Sequence, residues 1–329
     1  MKYRFLSLLF ATGLLSLPAA VWADGGPALF SGAIPDARSA GLGGAGAALT
    51  PDAYSLYRNG AGSLFSDMRG EVGYGFAPWM KSLSSGSTLH SAAGFGRIGE
   101  RHAVLAGVRY LSLPEMSFTD DRGNPAGTAR PSDLSVEAGY AYRLAEGFAA
   151  SATVRYIRSD AGVASASAVG FDVGLYYRHP TSWGGRKSHW ALGAQFSNFG
   201  TQLDYGYGRL MLPWKIACGG ALFVDFSDNH RLEATADAEI KCYSYGSAFL
   251  GGRFGAEYTL YRHAVLRAGY RLANESRGDF SYTSLGCGVR FSRFCLDGAY
   301  WLTAKDSPLH NTWQLSLRVG WGVSSDSRK

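Results

Sequence analysis

Four cysteines and seven histidines are the side chains best suited to catalysis or metal binding in this 329-residue chain. Cys218, Cys242, Cys287 and Cys295 lack the Cys-x-x-Cys spacing of a metal site. Nucleophilic catalysis would need a nucleophile and a base on adjacent elements, and no serine, histidine and acid share a suitable register. We therefore predict a protein that is not an enzyme, without catalytic residues, cofactor or metal.

Most of the histidines fall where a short turn meets an apolar stretch, which favours a position at an interface over a catalytic one. These are His102, His179, His189, His230 and His263. A glycine-rich run at residues 41–46 could suggest a phosphate loop, but it lacks the Gly-Lys-Ser/Thr ending and no βαβ unit follows. The chain also has no Lys/Arg block of the kind that binds nucleic acid.

Charged residues instead recur at every second position, opposite apolar ones. In residues 134–144 one face carries only apolar and tyrosine side chains, while the other carries Glu137 and Arg143. Side chains alternate across a strand, so this period predicts strands with one charged and one apolar face. The charged face includes Arg109, Glu137, Arg143, Arg155, Asp172, Lys215, Glu233, Asp237, Glu239, Glu257, Arg267, Arg271, Arg290, Asp297 and Arg318.

Alternation alone does not separate a soluble sandwich from a membrane barrel, but three further features favour the barrel. The strands are long, short turns alternate with longer loops, and aromatic residues lie near strand ends. These aromatic residues are Trp79, Tyr110, Trp190, Trp214, Tyr300, Trp313 and Trp321. One connection, residues 180–187, fits poorly because it is eight residues long in a short-turn position.

We predict an all-β protein: a transmembrane antiparallel β-barrel of about 14 strands, with both termini in the periplasm. The predicted strands begin at Arg69, Gly86, His102, Asp133, Phe148, Ala166, Ser188, Leu212, Arg231, Phe249, Ala264, Phe280, Phe294 and Thr312. This register places Cys287 on the apolar face and Cys295 on the charged face, which is poor geometry for a disulfide. We expect all four cysteines to be free thiols.

The first 23 residues have a basic start, an apolar core and an ending in Val21-Trp22-Ala23, as in a secretory signal peptide. The formal charge of +6 includes Lys2 and Arg4, so removal of this segment leaves +4. We predict cleavage after Ala23 and location in a bacterial outer membrane, in contact with its lipid.

Residues 24–67 are rich in glycine and alanine and do not follow the strand pattern. A barrel of 14 strands is too wide for side chains alone to fill. We predict that this segment is a hatch inside the barrel; the alternative is a disordered periplasmic lead. Thr50 and Pro51 are expected to begin a short helix, as its cap and first residue. The barrel is predicted over residues 68–322, followed by a polar tail at 323–329.

Several motifs of this chain resemble the PorV family. The run Ala37-Arg38-Ser39-Ala40-Gly41-Leu42-Gly43 is similar to the family's Ala-Arg-x-x-Gly-Met-Gly, followed by Pro51-Asp52 and Asn59. Further matches are Phe118-Thr119-Asp120, Gly123-Asn124 and Arg155-Tyr156-Ile157-Arg158-Ser159-Asp160. Leu42 replaces the usual Met, and Arg58-Asn59-Gly60 replaces Trp-Asn-Pro. The hatch motif is thus Arg38, Gly41, Gly43, Pro51, Asp52 and Asn59.

PorV proteins are FadL-like outer-membrane barrels of the type IX secretion system, so the resemblance implies a role in protein secretion without catalysis. It implies three partners: the translocon barrel, the C-terminal signal domains of secreted proteins, and the surface attachment complex. A long outer loop at residues 116–131 is our candidate for cargo binding. Its residues are Phe118, Asp120, Asp121, Gly123 and Asn124. The alternative function is a FadL-like transporter of hydrophobic small molecules.

Overall fold

The computed structural model describes residues 33–79, 86–119, 125–162, 164–206, 208–242, 248–277 and 279–323. The predicted signal peptide and the tail after Val323 lie outside these residues. No helix among the described residues has the length and apolar character needed to cross a membrane.

Fourteen long strands of the described chain form a closed antiparallel barrel, and four short strands form two separate hairpins. The barrel strands are β1 (Met68–Pro78), β2 (Thr88–Ile98), β3 (His102–Ser112), β6 (Ser132–Ala145), β7 (Phe148–Asp160), β8 (Ser165–Trp183), β9 (Arg186–Gly200), β12 (Trp214–Ser227), β13 (His230–Cys242), β14 (Ala248–Leu260), β15 (Ala264–Leu272), β16 (Tyr282–Phe291), β17 (Phe294–Leu302) and β18 (Trp313–Val323). Strand β18 pairs with β1 and closes the barrel. The predicted barrel of about 14 strands is confirmed, and each strand begins within two residues of its predicted start.

The short elements lie inside the barrel or in its longer loops. Hairpins are formed by β4 (Met116–Thr119) with β5 (Pro125–Ala129), and by β10 (Leu203–Asp204) with β11 (Arg209–Leu210). Before the barrel come helices α1 (Ala37–Gly41) and α2 (Ser55–Arg58) and a 3-10 helix, Gly60–Phe65; a second 3-10 turn is Glu275–Arg277.

Connections at one end of the barrel contain two or three residues, whereas those at the other end contain four to nineteen. The end with the short turns faces the periplasm in outer-membrane barrels. The predicted eight-residue loop at 180–187 was wrong. Strands β8 and β9 continue through it to a turn at Gly184 and Gly185, whose φ angles are +59° and +77°. Two positive φ angles define the tight hairpin turn that glycine favours.

The two faces of the wall are inverted relative to a soluble protein. On β6, Val136 and Tyr140 are 50% and 47% exposed on the outer face, while Glu137 is 2% exposed on the inner face. Near the periplasmic turns, tyrosines on the outer face bond histidines, as in Tyr140 Oη to His102 Nδ1 at 2.5 Å. His189 differs from the prediction, because its ring stacks inside on the buried Phe223. The apolar outer face with an aromatic border is suited to lipid.

Candidate functional site

Residues 33–66 lie inside the barrel, and every one except Thr50 is buried. Helix α1 contacts β15, β16, β17 and β18, while the 3-10 helix contacts β6, β7 and β8 on the other side. The Asp36 carboxylate caps α1 by accepting the Ser39 main-chain N–H at 2.9 Å. The many small side chains allow this short chain to approach the wall closely on all sides. We call residues 33–66 the inner segment.

Arg38 joins the inner segment to the barrel wall. Its guanidinium bonds Glu257 and Glu233 of the wall at 2.8 Å each and Asp52 of the segment at 3.0 Å. It also donates to the Thr50 carbonyl at 2.8 Å. Burial alone would lower the pKa of Arg38, but the three carboxylates raise it well above its ordinary value. Arg38 therefore stays charged and fixes the segment to β13 and β14.

Asp52 is the acidic centre of the same network. Its carboxylate is paired with Arg38, Arg58 and Arg318, and it is 1% exposed. Burial alone would raise the pKa of Asp52, but the nearby Arg58, Arg318 and Arg38 lower it below its ordinary value of 3.8. Arg318 on β18 then continues the network to Glu71 at 3.1 Å and to Asp297 at 3.0 Å.

Glycines allow the segment and the wall to touch. Gly43 has a φ of +67° and lies against the main chain of Tyr270, and its N–H donates to Ser284 Oγ at 3.0 Å. On the facing wall, a Cβ on Gly269 would collide with the main chain of Gly43 and Leu42. Gly41 similarly lies against Gly286. The glycine pattern of the motif thus meets glycines of β15 and β16.

Asn59 links the segment to itself and to β8. Its side-chain amide donates to the Ala47 carbonyl at 2.9 Å and to the Leu175 carbonyl at 2.8 Å, while its oxygen accepts from the N–H of Ala61. The neighbouring Tyr57 ring lies 4.7 Å from the Arg109 guanidinium carbon.

The structure corrects the predicted helix start at Thr50 and Pro51. Helix α2 begins at Ser55, because the Asp52 carboxylate accepts the Tyr54 main-chain N–H and Ser55 Oγ accepts the Asp52 N–H. These local bonds form a turn that competes with a helix. Pro51 is buried next to this turn.

Three wall arginines close the periplasmic end of the inner segment. Arg97, Arg143 and Arg178 donate to the carbonyls of Ser66, Leu64 and Phe65 at 3.0, 2.6 and 3.1 Å. Arg143 and Arg178 also flank the Phe65 ring, with distances of 4.9 and 5.2 Å to its centroid. Carbonyls at a helix end need such donors when they are buried.

Sequence reasoning missed some members of the network. Arg58 pairs with Asp36 and Asp52 and donates to Ser39 Oγ at 2.6 Å, although it replaces a tryptophan of the family motif. Glu71 on β1 forms an ion pair with Arg318 on β18 at 3.1 Å. A signal existed, since Asp36, Arg58 and Glu71 are charges in or beside a segment of mostly small residues.

The predicted cargo loop is partly outside the described residues. Phe118 lies on β4, whose pairing with β5 runs from Met116↔Ala129 to Thr119↔Pro125. Asp120, Asp121, Gly123 and Asn124 are not among the described residues. The hairpin belongs to the connection between β3 and β6, at the outer end of the barrel.

An apolar cluster in the outer half of the lumen includes Ile34 and Ala37 of the inner segment. The Trp301 ring stacks on Tyr282 at 4.9 Å and meets the edge of Trp79 at 5.8 Å. Trp79 is 7% exposed, so the expected interfacial position was wrong for this residue. Leu203 and Tyr205 of the β10 hairpin pack against the cluster from above.

The described residues contain no group of three or more metal-binding side chains, and Cys218, Cys287 and Cys295 are free thiols. Cys287 is exposed on the outer face and Cys295 is partly buried, on opposite faces as expected. The residues gathered inside the barrel are therefore suited to holding the inner segment by charge pairing, without an evident set for covalent chemistry.

Comparison with protein families identifies the chain. The model of a family described as "Type IX secretion system protein PorV" matches residues 24–242. The chain belongs to this family. It is an outer-membrane component of the type IX secretion system, as the PorV resemblance and the predicted location implied. A search of curated proteins finds no match.

Solved structures similar to this PorV-family barrel are FadL-like. It resembles the toluene transporter TbuX of Ralstonia pickettii at 14% identity and a TM-score of 0.55, over 87% of this chain and 98% of that one. Similar values hold for the Pseudomonas putida toluene transporter TodX, at 10% identity, TM-score 0.56, and 88% and 99% coverage. A Pseudomonas aeruginosa FadL homologue is 13% identical, with a TM-score of 0.51, over 88% of this chain and 98% of that one. Likeness at such low identity concerns the fold alone.

Proposed function

We propose that this barrel binds the C-terminal signal domain of secreted proteins at the translocon and carries it to the surface attachment complex, without catalysis. Membership of the PorV family supports a place in the secretion system. The observation that carries the proposal further is the filled lumen. Residues 33–66 are paired to β13, β14 and β18 through buried charges, so a folded cargo has no room to pass inside.

Cargo must then be handled on the surface of the barrel, and the outer β4–β5 hairpin is our proposed binding element. Its connection is the longest in the barrel, at nineteen residues between β3 and β6. Long loops placed on a rigid scaffold are common binding elements. The residues proposed to contact cargo are Phe118, Asp120, Asp121, Gly123 and Asn124.

We further propose that the segment 24–67 acts as a hatch that stays in place while cargo is bound. The segment contacts many strands, and the Arg38 guanidinium bonds three carboxylates. Both observations support a plug that does not move. Breaking such a buried network leaves unpaired charges, which is costly.

The test is a pull-down of the tagged barrel from detergent-solubilised outer membranes, with and without a block on cargo release. We expect the wild type to retain a large translocon barrel together with proteins bearing C-terminal signal domains. Replacing residues 120–124 by a Gly-Ser linker should release the cargo and keep the translocon. The matched control changes the other outer hairpin, at its exposed pair Asp204→Asn with Arg209→Gln.

Two outcomes would count against the proposal. If the linker variant retains cargo as well as the control does, the β4–β5 hairpin is not the binding element. If the wild type is recovered without translocon or cargo but with bound lipid, the proposed role in carrying cargo is excluded.

A second candidate function is transport of a hydrophobic small molecule. The aromatic cluster of Trp79, Tyr282 and Trp301 in the outer lumen favours it, as does the fold shared with toluene transporters. Uptake of radiolabelled toluene by cells that produce the barrel tests this candidate. Uptake equal to that of cells without the barrel would exclude it.

A further inference from the structure

Lys215 is a cation of the lumen that differs from its neighbours. It lies at the start of β12, paired in register with Ser197 of β9 and Lys241 of β13. The Lys241 ammonium bonds Glu239 at 2.9 Å and Asp279 at 3.1 Å. Within the part of the chain that the structure describes, the Lys215 ammonium has no ion-pair or hydrogen-bond partner.

The surrounding charges do not supply a partner for Lys215. Arg253 and Arg271 compete with Lys241 for Glu239, and Arg271 also bonds Asp279. Two further carboxylates are engaged elsewhere: Asp172 pairs with Arg155 at 2.7 Å, and Asp237 Oδ2 accepts the main-chain N–H groups of Gly46 and Ala47 at 2.7 and 3.0 Å. Lys241, Arg253 and Arg271 thus occupy Glu239 and Asp279, and the half-buried Lys215 has no carboxylate of its own.

A cavity of about 60 Å³ lies between the inner segment and this part of the wall, and Lys215 lines it. Arg58, Lys241 and Arg253 also line it, whereas Asp237 is the sole carboxylate among the described residues that line it.

Neutral polar side chains lie in this cavity or on the strand position beside it. The Gln195 side chain lines the cavity, is 5% exposed, and has no hydrogen-bond partner among the described residues. Ser197, opposite Lys215 in the strand ladder, is 4% exposed and its Oγ is likewise without a partner in the described chain. Buried polar groups are almost always hydrogen-bonded. The unpartnered side chains of Gln195 and Ser197, close to the unpaired Lys215 ammonium, therefore point to a ligand.

We propose that the cavity binds one small anion between Lys215 and Gln195. The cations that line the cavity select negative charge, and the buried amide of Gln195 can donate a hydrogen bond to it. Because a cavity needs roughly 10–15 Å³ for each water molecule, 60 Å³ has room for an anion such as chloride, formate or acetate. The anion neutralises the wall where the inner segment crosses β13.

Thermal unfolding in detergent tests the site. We compare chloride with gluconate, an anion too large for the cavity, at equal ionic strength. A ligand that binds only the folded state raises the unfolding midpoint in a saturable way, here by about 2–4 °C. The wild type should show this rise in chloride, Lys215→Met should lose it, and the loop variant Lys305→Met should keep it. An equal response from Lys215→Met would overturn the proposal.

Diffraction from crystals grown in bromide gives an independent measurement if Lys215→Met does not fold. An anomalous peak between the Lys215 Nζ and the Gln195 amide is expected in the wild type. Crystals without such a peak, with water alone in the cavity, would overturn the proposal even if chloride stabilises the barrel by other means.

Discussion

The inner segment and the β4–β5 hairpin are both outside the strand ladder of the barrel, yet their surroundings are opposite. Arg38 of the inner segment bonds three carboxylates and is 2% exposed. On the hairpin, Met116 is 39% exposed and β4 pairs with β5 in a sheet of its own. One segment is therefore bound to the barrel through burial and charge, while the other forms a separate sheet with an exposed side chain at its start.

If the proposed cargo binding holds, this difference separates the structural part of the molecule from its binding part. A segment with buried ion pairs to three or more strands cannot move without exposing or orphaning charges. A surface hairpin loses little when its sequence changes. Substitutions in the inner segment should therefore alter stability, and substitutions in the hairpin should alter binding alone.

The largest effect is expected from Arg38→Met. It leaves Glu233, Glu257 and Asp52 without a shared cation, and breaking a buried pair in this way costs about 3–5 kcal/mol. Denaturant unfolding in detergent measures the free energy of unfolding. The control is Arg209→Met on the outer hairpin, whose ion pair is exposed, and it should be unchanged. Equal stability of the two variants would remove the distinction between the regions.

A smaller loss is expected from Gly269→Ala. The added methyl group meets the main chain of Gly43 and Leu42, which cannot move aside as a flexible side chain would. Overpacking of this kind costs about 1–3 kcal/mol. Gly96→Ala is the matched strand control, because a Cβ there meets nothing within 4 Å. A similar unfolding midpoint for the two variants would show that the main chain of the inner segment shifts at little cost to make room for the added methyl group.

The barrel itself was predictable because period two is a local property. The alternation in residues 134–144 sets both the strand and its inner face, whatever the neighbours are. Pairing inside the lumen was not predictable, because Arg38 meets Glu257 across 219 residues and the register of many strands decides which carboxylate comes near. The motif indicated that Arg38, Asp52 and Asn59 matter but did not name their partners.

The missed features have similar physical reasons. Trp79 follows a strand end, as an interfacial residue would. Its ring instead points into the outer lumen, where it contacts the ring of Trp301. Residues 180–187 were expected to form a loop because Pro180 and two glycines interrupt the pattern. Only the pairing of β8 with β9 reveals that the glycines form a tight turn and that Pro180 lies within a strand.

Acid should weaken the attachment of the inner segment. The folded-state pKa of Asp52 is below its ordinary value of 3.8, so its contribution to stability is fully present above that pH. As the pH falls below about 4, the unfolded chain takes up the proton first and the contribution is lost. We expect the unfolding free energy of the wild type to fall more steeply than that of Asp52→Asn as the pH is lowered from about 4 to about 2. Parallel curves would contradict this assignment.

The smallest effect is expected on the hairpin, from Met116→Ala. A side chain that is already 39% exposed loses little burial, and such surface substitutions change stability by about 0.5 kcal/mol or less. Leu64→Ala in the inner segment removes a side chain that is 0% exposed and should cost about 2–5 kcal/mol. If Met116→Ala destabilised the barrel as much, the hairpin would be part of the folded core, and its role as a free binding element would have to be abandoned.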